Sequence, residues 1–299
     1  MNPAGPLFAL LSAAFWGSGD FFGGLASRVG HLRPTLVLSQ AFGVLLALCL
    51  VPFAGEALPT GEGFAWAAAA GICGVAGVGC LYLALSGGTM GIVAPATGLI
   101  AAAIPAGIGI LAGDPVGPLL LLGMAVALAA VVIISLPEGP TGPLRDVPPA
   151  RPRLAEWGLI LGAGLGFAGF YVLADTAHEA GSGTVWTLLG VRLASTAVAL
   201  GLVAVPLLAR RPVGMRVSRR VVGLTFLTGV GDTGGNLFYI ASTAVGALSV
   251  TVVLASLYPV STALWARIIL HERLTRTRLA GVALALTGAV LISAGSLGL

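Results

Sequence analysis

The sequence predicts an all-α integral membrane protein with ten transmembrane helices arranged as two inverted five-helix repeats. Three observations carry this prediction: an apolar composition, ten hydrophobic segments of membrane-spanning length, and a likeness between the two halves of the chain. Of the 299 residues, 57% are hydrophobic and 9% are charged, and the mean hydropathy is +1.03. A soluble domain of this size could not keep such a surface in water, so the chain is expected to lie in a bilayer.

Ten hydrophobic segments follow one another, each with about the twenty residues that a helix needs to cross the hydrocarbon core. They cover residues 5–25, 34–53, 64–86, 91–112, 117–136, 155–175, 184–209, 220–245, 248–270 and 276–297. The first has no positive charge before it and no small-residue cleavage pattern after it, so we expect it to be retained.

The longest polar interruption is residues 137–154, PEGPTGPLRDVPPARPRL. Its prolines argue against a continuous helix and its charges against burial, which indicates a surface linker. The predicted organisation is therefore a first five-helix repeat at 1–136, a Pro-rich polar linker at 137–154, and a second five-helix repeat at 155–299.

The two halves resemble each other near their ends. Leu99–Pro105 reads LIAAAIP and Val253–Pro259 reads VLASLYP, and we expect Pro105 and Pro259 to interrupt spans four and nine. A paired acid and a paired glycine then follow in the same order: Asp114 with Glu272, and Gly123 with Gly281. An odd number of spans in each repeat gives the two copies opposite orientations, which is a plan of secondary transporters.

Several motifs resemble the EamA branch of the drug/metabolite transporter superfamily. Phe15–Ser18, FWGS, is similar to the "WGs" opening of that family. The end of an EamA repeat is matched at Pro259, Glu272, Leu274, Gly281 and Gly288. Arg192 resembles the arginine often found early in the second helix of a repeat, whereas the first copy departs from the pattern with Gln40 near that position and Asp114-Pro115 in place of Glu-Arg. The resemblance covers nearly the whole chain and implies a permease whose cavity is formed mainly by helices one, three, four, six, eight and nine.

The eighth span carries a carboxylate at membrane depth. At helical spacing, its polar residues share one stripe: Thr225, Thr228, Asp232, Asn236, Tyr239 and Thr243. A buried carboxylate costs several kcal/mol unless it faces water or a partner, so this stripe is expected to line an interior. Asp20, in the first span, has a similar setting, with glycine just before it and three residues after it.

The candidate residues for substrate binding or ion coupling share a polar group inside a span: Asp20, Asp232, Asn236, Tyr239, Tyr82, Trp16 and Tyr258. Packing with a satisfied polar group is an equal alternative for the aromatic residues among them. Arg192 is expected to form a structural ion pair with Asp232 or Asp20, because a buried arginine needs a counter-charge. One arginine cannot neutralise two separated acids, and Asp232 is our first candidate for the coupling acid.

These features predict a secondary transporter, acting as an exporter of small metabolites, amino acids or drugs across the inner membrane by alternating access. Its expected partners are a small-molecule substrate, the lipid bilayer, and protons or another coupling ion, and it is expected to be a monomer or a homodimer. We expect no cofactor, metal site, catalytic residue or nucleic-acid partner, and the sequence holds no phosphate-binding loop for ATP. The alternative is an integral-membrane enzyme such as a hydrolase or acyltransferase, and the third hypothesis is a scaffold or signalling subunit.

The arginines predict the orientation, since the chain has no lysine. Counted by loop, fourteen of them fall on one side of the membrane: Arg28, Arg33, Arg145, Arg151, Arg153, Arg210, Arg211, Arg216, Arg219, Arg220, Arg267, Arg273, Arg276 and Arg278. That side should be cytoplasmic, which puts both termini outside. Many EamA relatives have the opposite orientation, so this prediction follows the charges of this chain.

Overall fold

The computed structural model describes residues 2, 4–29, 32–85, 90–136, 153–208, 217–271 and 275–296. All regular secondary structure within these ranges is helical. The helices are α1 (Ala4–Val29), α2 (Leu32–Ala54), α3 (Gly61–Leu85), α4 (Met90–Leu111), α5 (Pro118–Ser135), α6 (Arg153–Glu179), α7 (Thr184–Leu208), α8 (Arg219–Thr243), α9 (Leu248–Ala255), α10 (Tyr258–Ile269) and α11 (Arg276–Ser296). Each of the ten predicted spans therefore coincides with a helix, and the ninth is divided into two.

Seven helical segments in the described residues have the length and the apolar composition to cross a membrane. They are Thr35–Ala54, Gly61–Leu81, Pro118–Ser135, Leu154–Glu179, Thr184–Gly201, Leu248–Ile269 and Arg276–Ser296, and a shorter apolar helical stretch covers Ala96–Leu111. The helices α1 and α8 have 26 and 25 residues but are not among the seven, because a carboxylate and several glycines make each less apolar. The chain is a multi-pass, all-helical membrane protein.

The ninth span is divided at Ser256 and Leu257, just before Pro259. The break puts Pro259 in the first turn of α10, where a missing backbone N–H costs nothing because that donor has no partner in any helix. The matching helix α4 runs without interruption through Pro105. Span nine is thus divided into two helices at its proline, whereas span four is one continuous helix that contains Pro95 and Pro105.

Polar side chains satisfy the free N–H groups at several helix starts. Ser218 Oγ accepts from Val221 N at 3.3 Å at the start of α8. Glu56 accepts from Val185 N, with its Oε2 at 3.0 Å, at the start of α7. Side-chain oxygens in such positions stabilise a helix start, and the carboxylate of Glu56 also interacts favourably with the dipole of α7. The last two residues of the predicted linker, Arg153 and Leu154, belong to the first turn of α6. Residues 137–152 of that linker lie outside the described residues.

Three helix pairs make the most extensive contacts: α1 with α8, α3 with α6, and α5 with α11. Glycines stand where these helices cross. A methyl group on Gly19 of α1 would lie 2.9 Å from Asp232 N, and one on Gly231 of α8 would overlap the backbone N of Gly19. In a bilayer, such close backbone approach replaces the hydrophobic effect as the source of helix association.

Candidate functional site

Asp232 is held by Arg192 in the interior of the helix bundle. Arg192 Nη1 donates to Asp232 Oδ2 at 2.5 Å. The Arg192 side chain is 2% exposed, whereas that of Asp232 is 39% exposed. Within the part of the chain that the structure describes, Arg192 Nε and Nη2 have no partner. Asp232 is therefore neutralised by one contact on its buried side, while the rest of its carboxylate stays accessible.

Asp20 is the second carboxylate at this depth, and it is exposed. It interacts electrostatically with Asp232 of α8, Tyr171 of α6 and Tyr258 of α10. The segment of α1 that carries Asp20 packs inside the bundle, since a methyl group on Gly17 would overlap Tyr258 O of α10 and one on Gly19 would lie 2.9 Å from Asp232 N of α8. No ion-pair partner for Asp20 is found among the described residues. We call the space bordered by Asp20, Asp232, Tyr171 and Tyr258 the central site.

Trp16 lies beside this site and joins α1 to α8. Its Nε1 donates to Asn236 Oδ1 at 2.8 Å, and its ring stacks on Tyr239 with ring centroids 5.7 Å apart. The rings of Phe170 and Tyr171 complete the cluster at 6.2 and 5.8 Å from Trp16. These contacts fix Trp16 in one orientation, since one face of its ring and its N–H group are occupied.

Asn236 and Tyr239 were expected to contact substrate, and the structure places both in helix packing. Asn236 is 6% exposed and its carboxamide oxygen is bonded to Trp16. Tyr239 is fully buried, and its hydroxyl donates to the backbone oxygen of Tyr171 at 3.1 Å. The carboxamide oxygen of Asn236 and the hydroxyl of Tyr239 are thus satisfied inside the protein, as is usual for buried polar groups. The side chain of Tyr82 lies outside the described residues.

Tyr258 is half-buried at the break between α9 and α10. The helix that follows is bonded to α1: Ser261 Oγ donates to Ala14 O at 2.9 Å, and Thr262 Oγ1 donates to Gly17 O at 3.1 Å. Sequence reasoning did not select these two hydroxyl residues. The sequence feature that could have indicated them is a Ser-Thr pair two residues after Pro259.

Two cavities lie elsewhere in the described residues. One of about 370 Å³ is lined by Asp114, Pro115 and residues 243–247, where α8 turns into α9. The other, of about 220 Å³, is a largely apolar groove between α1, α2 and α8 that includes Phe15 and Phe238. Neither is lined by Asp20 or Asp232.

The comparisons with known proteins agree with this architecture. A solved structure described as "Crystal structure of protein" matches over 100% of this chain and 99% of its own, with a TM-score of 0.73 and 15% sequence identity. At that identity, the likeness shows the fold alone. A search of curated proteins finds no match. Over residues 156–294, the chain matches the EamA-like transporter family, which confirms for this part of the chain the resemblance predicted from its sequence.

Proposed function

We propose that this protein is a secondary transporter of the inner membrane, built from two inverted five-helix halves that rock against each other to give alternating access. The first half consists of α1–α5 and the second of α6–α11. The substrate is a small molecule that crosses between the halves at the central site, and the expected direction is export. Asp20, Asp232, Trp16 and Tyr258 would border its path.

The observation that carries this proposal is a set of reciprocal contacts between the halves. Gly123 of α5 packs against Ile292 of α11, where a methyl group would lie 2.7 Å from Ile292 N. Conversely, Gly281 of α11 packs against Ile134 of α5. In each helix the isoleucine follows the glycine by eleven residues. The glycine of each helix therefore contacts the equivalent isoleucine of the other helix. A twofold relation between the halves explains this pattern, and the plan of inverted-repeat transporters supplies that relation.

A second reciprocal pair involves α2 and α7. Ser195 Oγ donates to Gln40 Oε1 at 3.0 Å, while a methyl group on Gly43 would lie 3.2 Å from Arg192 Cδ. Gln40 precedes Gly43 by three residues, as Arg192 precedes Ser195. This reciprocity supports Gln40 as the counterpart of Arg192, as the resemblance to EamA repeats implied.

The third reciprocal pair involves the two largest crossings between the halves. Gly19 of α1 meets Gly231 of α8, and Gly166 of α6 meets Gly77 of α3, where a methyl group would lie 2.6 Å from Gly77 Cα. In the order of the helices, α1 corresponds to α6 and α3 to α8. The enzyme alternative gains no support here, since His178 and His271 stand at or beyond helix ends, away from the central site.

The test is transport by the purified protein in proteoliposomes, first against a panel of metabolites and then with the halves locked together. In a background without native cysteines, Ala14→Cys with Ser261→Cys would link α1 to α10 across the two halves. Oxidation should stop transport and reduction should restore it. The control is Ser242→Cys with Thr251→Cys, whose hydroxyls lie 2.8 Å apart within the second half, and which should transport in both states.

Two outcomes would reject the proposal. One is the failure of every panel member to cross in the presence of folded wild-type protein. The other is unchanged transport by the oxidised α1–α10 pair once its crosslink has been verified by mass spectrometry.

A further inference from the structure

The charges of the central site do not cancel. Asp20 and Asp232 each carry a carboxylate when ionised, and Arg192 supplies one guanidinium. Arg192 contacts Asp232 and lies with it in the second half, on α7 and α8. That ion pair can therefore remain intact when the halves move. One net negative charge is left, and it belongs to Asp20 in the first half.

We propose that the central site binds one organic ammonium ion, with the carboxylate of Asp20 as its counter-ion. This inference rests on the proposed transporter function and names the class of substrate. An unpaired charge at membrane depth is costly, and a bound cation removes that cost. A substrate with one positive charge is the complement that restores neutrality.

The surroundings of Asp20 suit an organic cation better than a metal ion. Two half-buried aromatic residues lie near Asp20: Trp16 stands one helical turn before it on α1, and Tyr258 packs its backbone oxygen against Gly17 of α1. Aromatic faces attract alkylammonium groups, and they bury the hydrocarbon part of such a ligand. Divalent metal ions instead require several oxygen ligands, and only one free carboxylate is present among the described side chains of this site.

The position of Asp20 also explains how binding could depend on conformation. Gly19 directly precedes Asp20 and touches the backbone of Asp232, so the two carboxylates belong to opposite sides of the α1–α8 crossing. A cation bound to Asp20 therefore lies at the boundary between the two halves, so its binding depends on their relative position.

The experiment measures binding of three probes to the purified full-length protein in nanodiscs by calorimetry: tyramine, choline and indole-3-acetate. We expect the wild type to bind tyramine or choline but not the carboxylate. Asp20→Asn should raise the dissociation constant of the ammonium probe about tenfold or more, because removing one partner of a desolvated charge pair weakens binding. Asp20→Glu should retain binding. The matched control is Glu62→Gln, which changes an exposed carboxylate of α3 and should bind as the wild type does.

A charge-count series separates this inference from a purely structural effect. Asp232→Asn alone leaves Arg192 to neutralise Asp20, and it should lose ammonium binding. The double variant Arg192→Gln with Asp232→Asn restores one net negative charge, and it should regain binding. Because Arg192→Gln should also restore stability lost in Asp232→Asn, binding is compared only after thermal unfolding has shown that the single and the double variant are both folded.

Three results would overturn the inference: undiminished tyramine and choline binding by Asp20→Asn, preference of the wild type for indole-3-acetate, or no binding of either ammonium probe. Absence of binding by both ammonium probes includes the case in which Asp20 binds only a proton. None of these results affects the crosslinking test of transport, so failure of this inference is distinguishable from failure of the proposed function.

Discussion

Gly19 of α1 and Gly231 of α8 meet with no room for a side chain between them. Because the carboxylates of Asp20 and Asp232 directly follow these glycines, the crossing sets the distance between the two acids. The contact therefore links helix packing to the chemistry of the central site.

Replacing either glycine by alanine should destabilise the protein. Both Gly19→Ala and Gly231→Ala force a methyl group against backbone, and overpacking of this kind costs about 1–3 kcal/mol. Thermal unfolding of the purified variants measures the loss. Gly24→Ala on α1 is the control, since a methyl group there meets nothing within 4 Å and alanine favours a helix over glycine by about 1 kcal/mol. If all three variants unfolded at the wild-type temperature, the close crossing would be refuted.

Removing the arginine of the ion pair should be more damaging than removing any exposed arginine. Arg192→Leu leaves Asp232 without its counter-charge, and because Asp232 is 39% exposed, the loss should fall below the cost of breaking a fully buried pair, which is about 3–5 kcal/mol. The exposed Arg219→Leu should change stability by less than about 0.5 kcal/mol. Chemical or thermal denaturation of both variants provides the comparison. Equal stabilities would show that Arg192 and Asp232 do not depend on each other.

The same pair changes what is expected of Asp232→Asn. From the sequence, this variant should fold and bind while losing concentrative transport. With Arg192 in contact, it should instead lose stability, because it leaves a guanidinium that is 2% exposed without the anion that contacts it, and Asp20 lies beyond ion-pair distance. Combining it with Arg192→Gln should recover much of that loss, so the two effects should be non-additive in a double-mutant cycle. Strict additivity would speak against direct coupling.

Orientation can be tested by cysteine labelling in whole cells. In a background without native cysteines, Val217→Cys lies just before α8 on the arginine-rich side, and Leu58→Cys lies between α2 and α3 on the other side. Both residues are exposed. An impermeant maleimide should label Leu58→Cys in intact cells and Val217→Cys only after lysis. The reverse result would put both termini inside and show that local charge does not set the topology.

Glu56 should contribute to stability by holding the start of α7. Glu56→Ala removes the acceptor of Val185 N and a favourable charge at a helix N-terminus, and should cost about 1 kcal/mol. Glu179→Ala provides the contrast, because an exposed carboxylate at the end of α6 opposes the helix dipole. Its removal should leave the unfolding temperature unchanged or slightly raised. A larger loss for Glu179→Ala than for Glu56→Ala would contradict this account.

The positions of the helices followed from the sequence because membrane spans need long apolar segments, and polar loops separate them clearly. The division of the ninth span into α9 and α10 could not be predicted from the sequence in the same way. Pro105 and Pro259 have the same sequence setting, yet only the second lies at a division between helices. The difference depends on the contacts that Ser261 and Thr262 make with α1, which are tertiary and leave no periodic signal.

The central site was predicted in its residue types but not in its pairing. The need of Arg192 for a carboxylate was evident, whereas the choice between Asp20 and Asp232 depends on which helices surround α7. Packing of α7 against α2, α3 and α8 brings Arg192 to Asp232. Likewise, Tyr239 shares a stripe with Asp232, but the aromatic rings of α1 and α6 cover that part of the stripe.

The location of the ion pair within one repeat has a consequence for how such a protein can arise. In the proposed plan of two inverted repeats, its counterpart positions hold Gln40 and Val78, which carry no charge. An ancestral assembly of two identical five-helix chains would have to contain either two such ion pairs or none, and its central charge could only be an even number. A single negative charge at the centre therefore requires that the duplicated halves be fused in one chain and then acquire different residues. Fusion, in this view, is what permits recognition of a ligand with one charge.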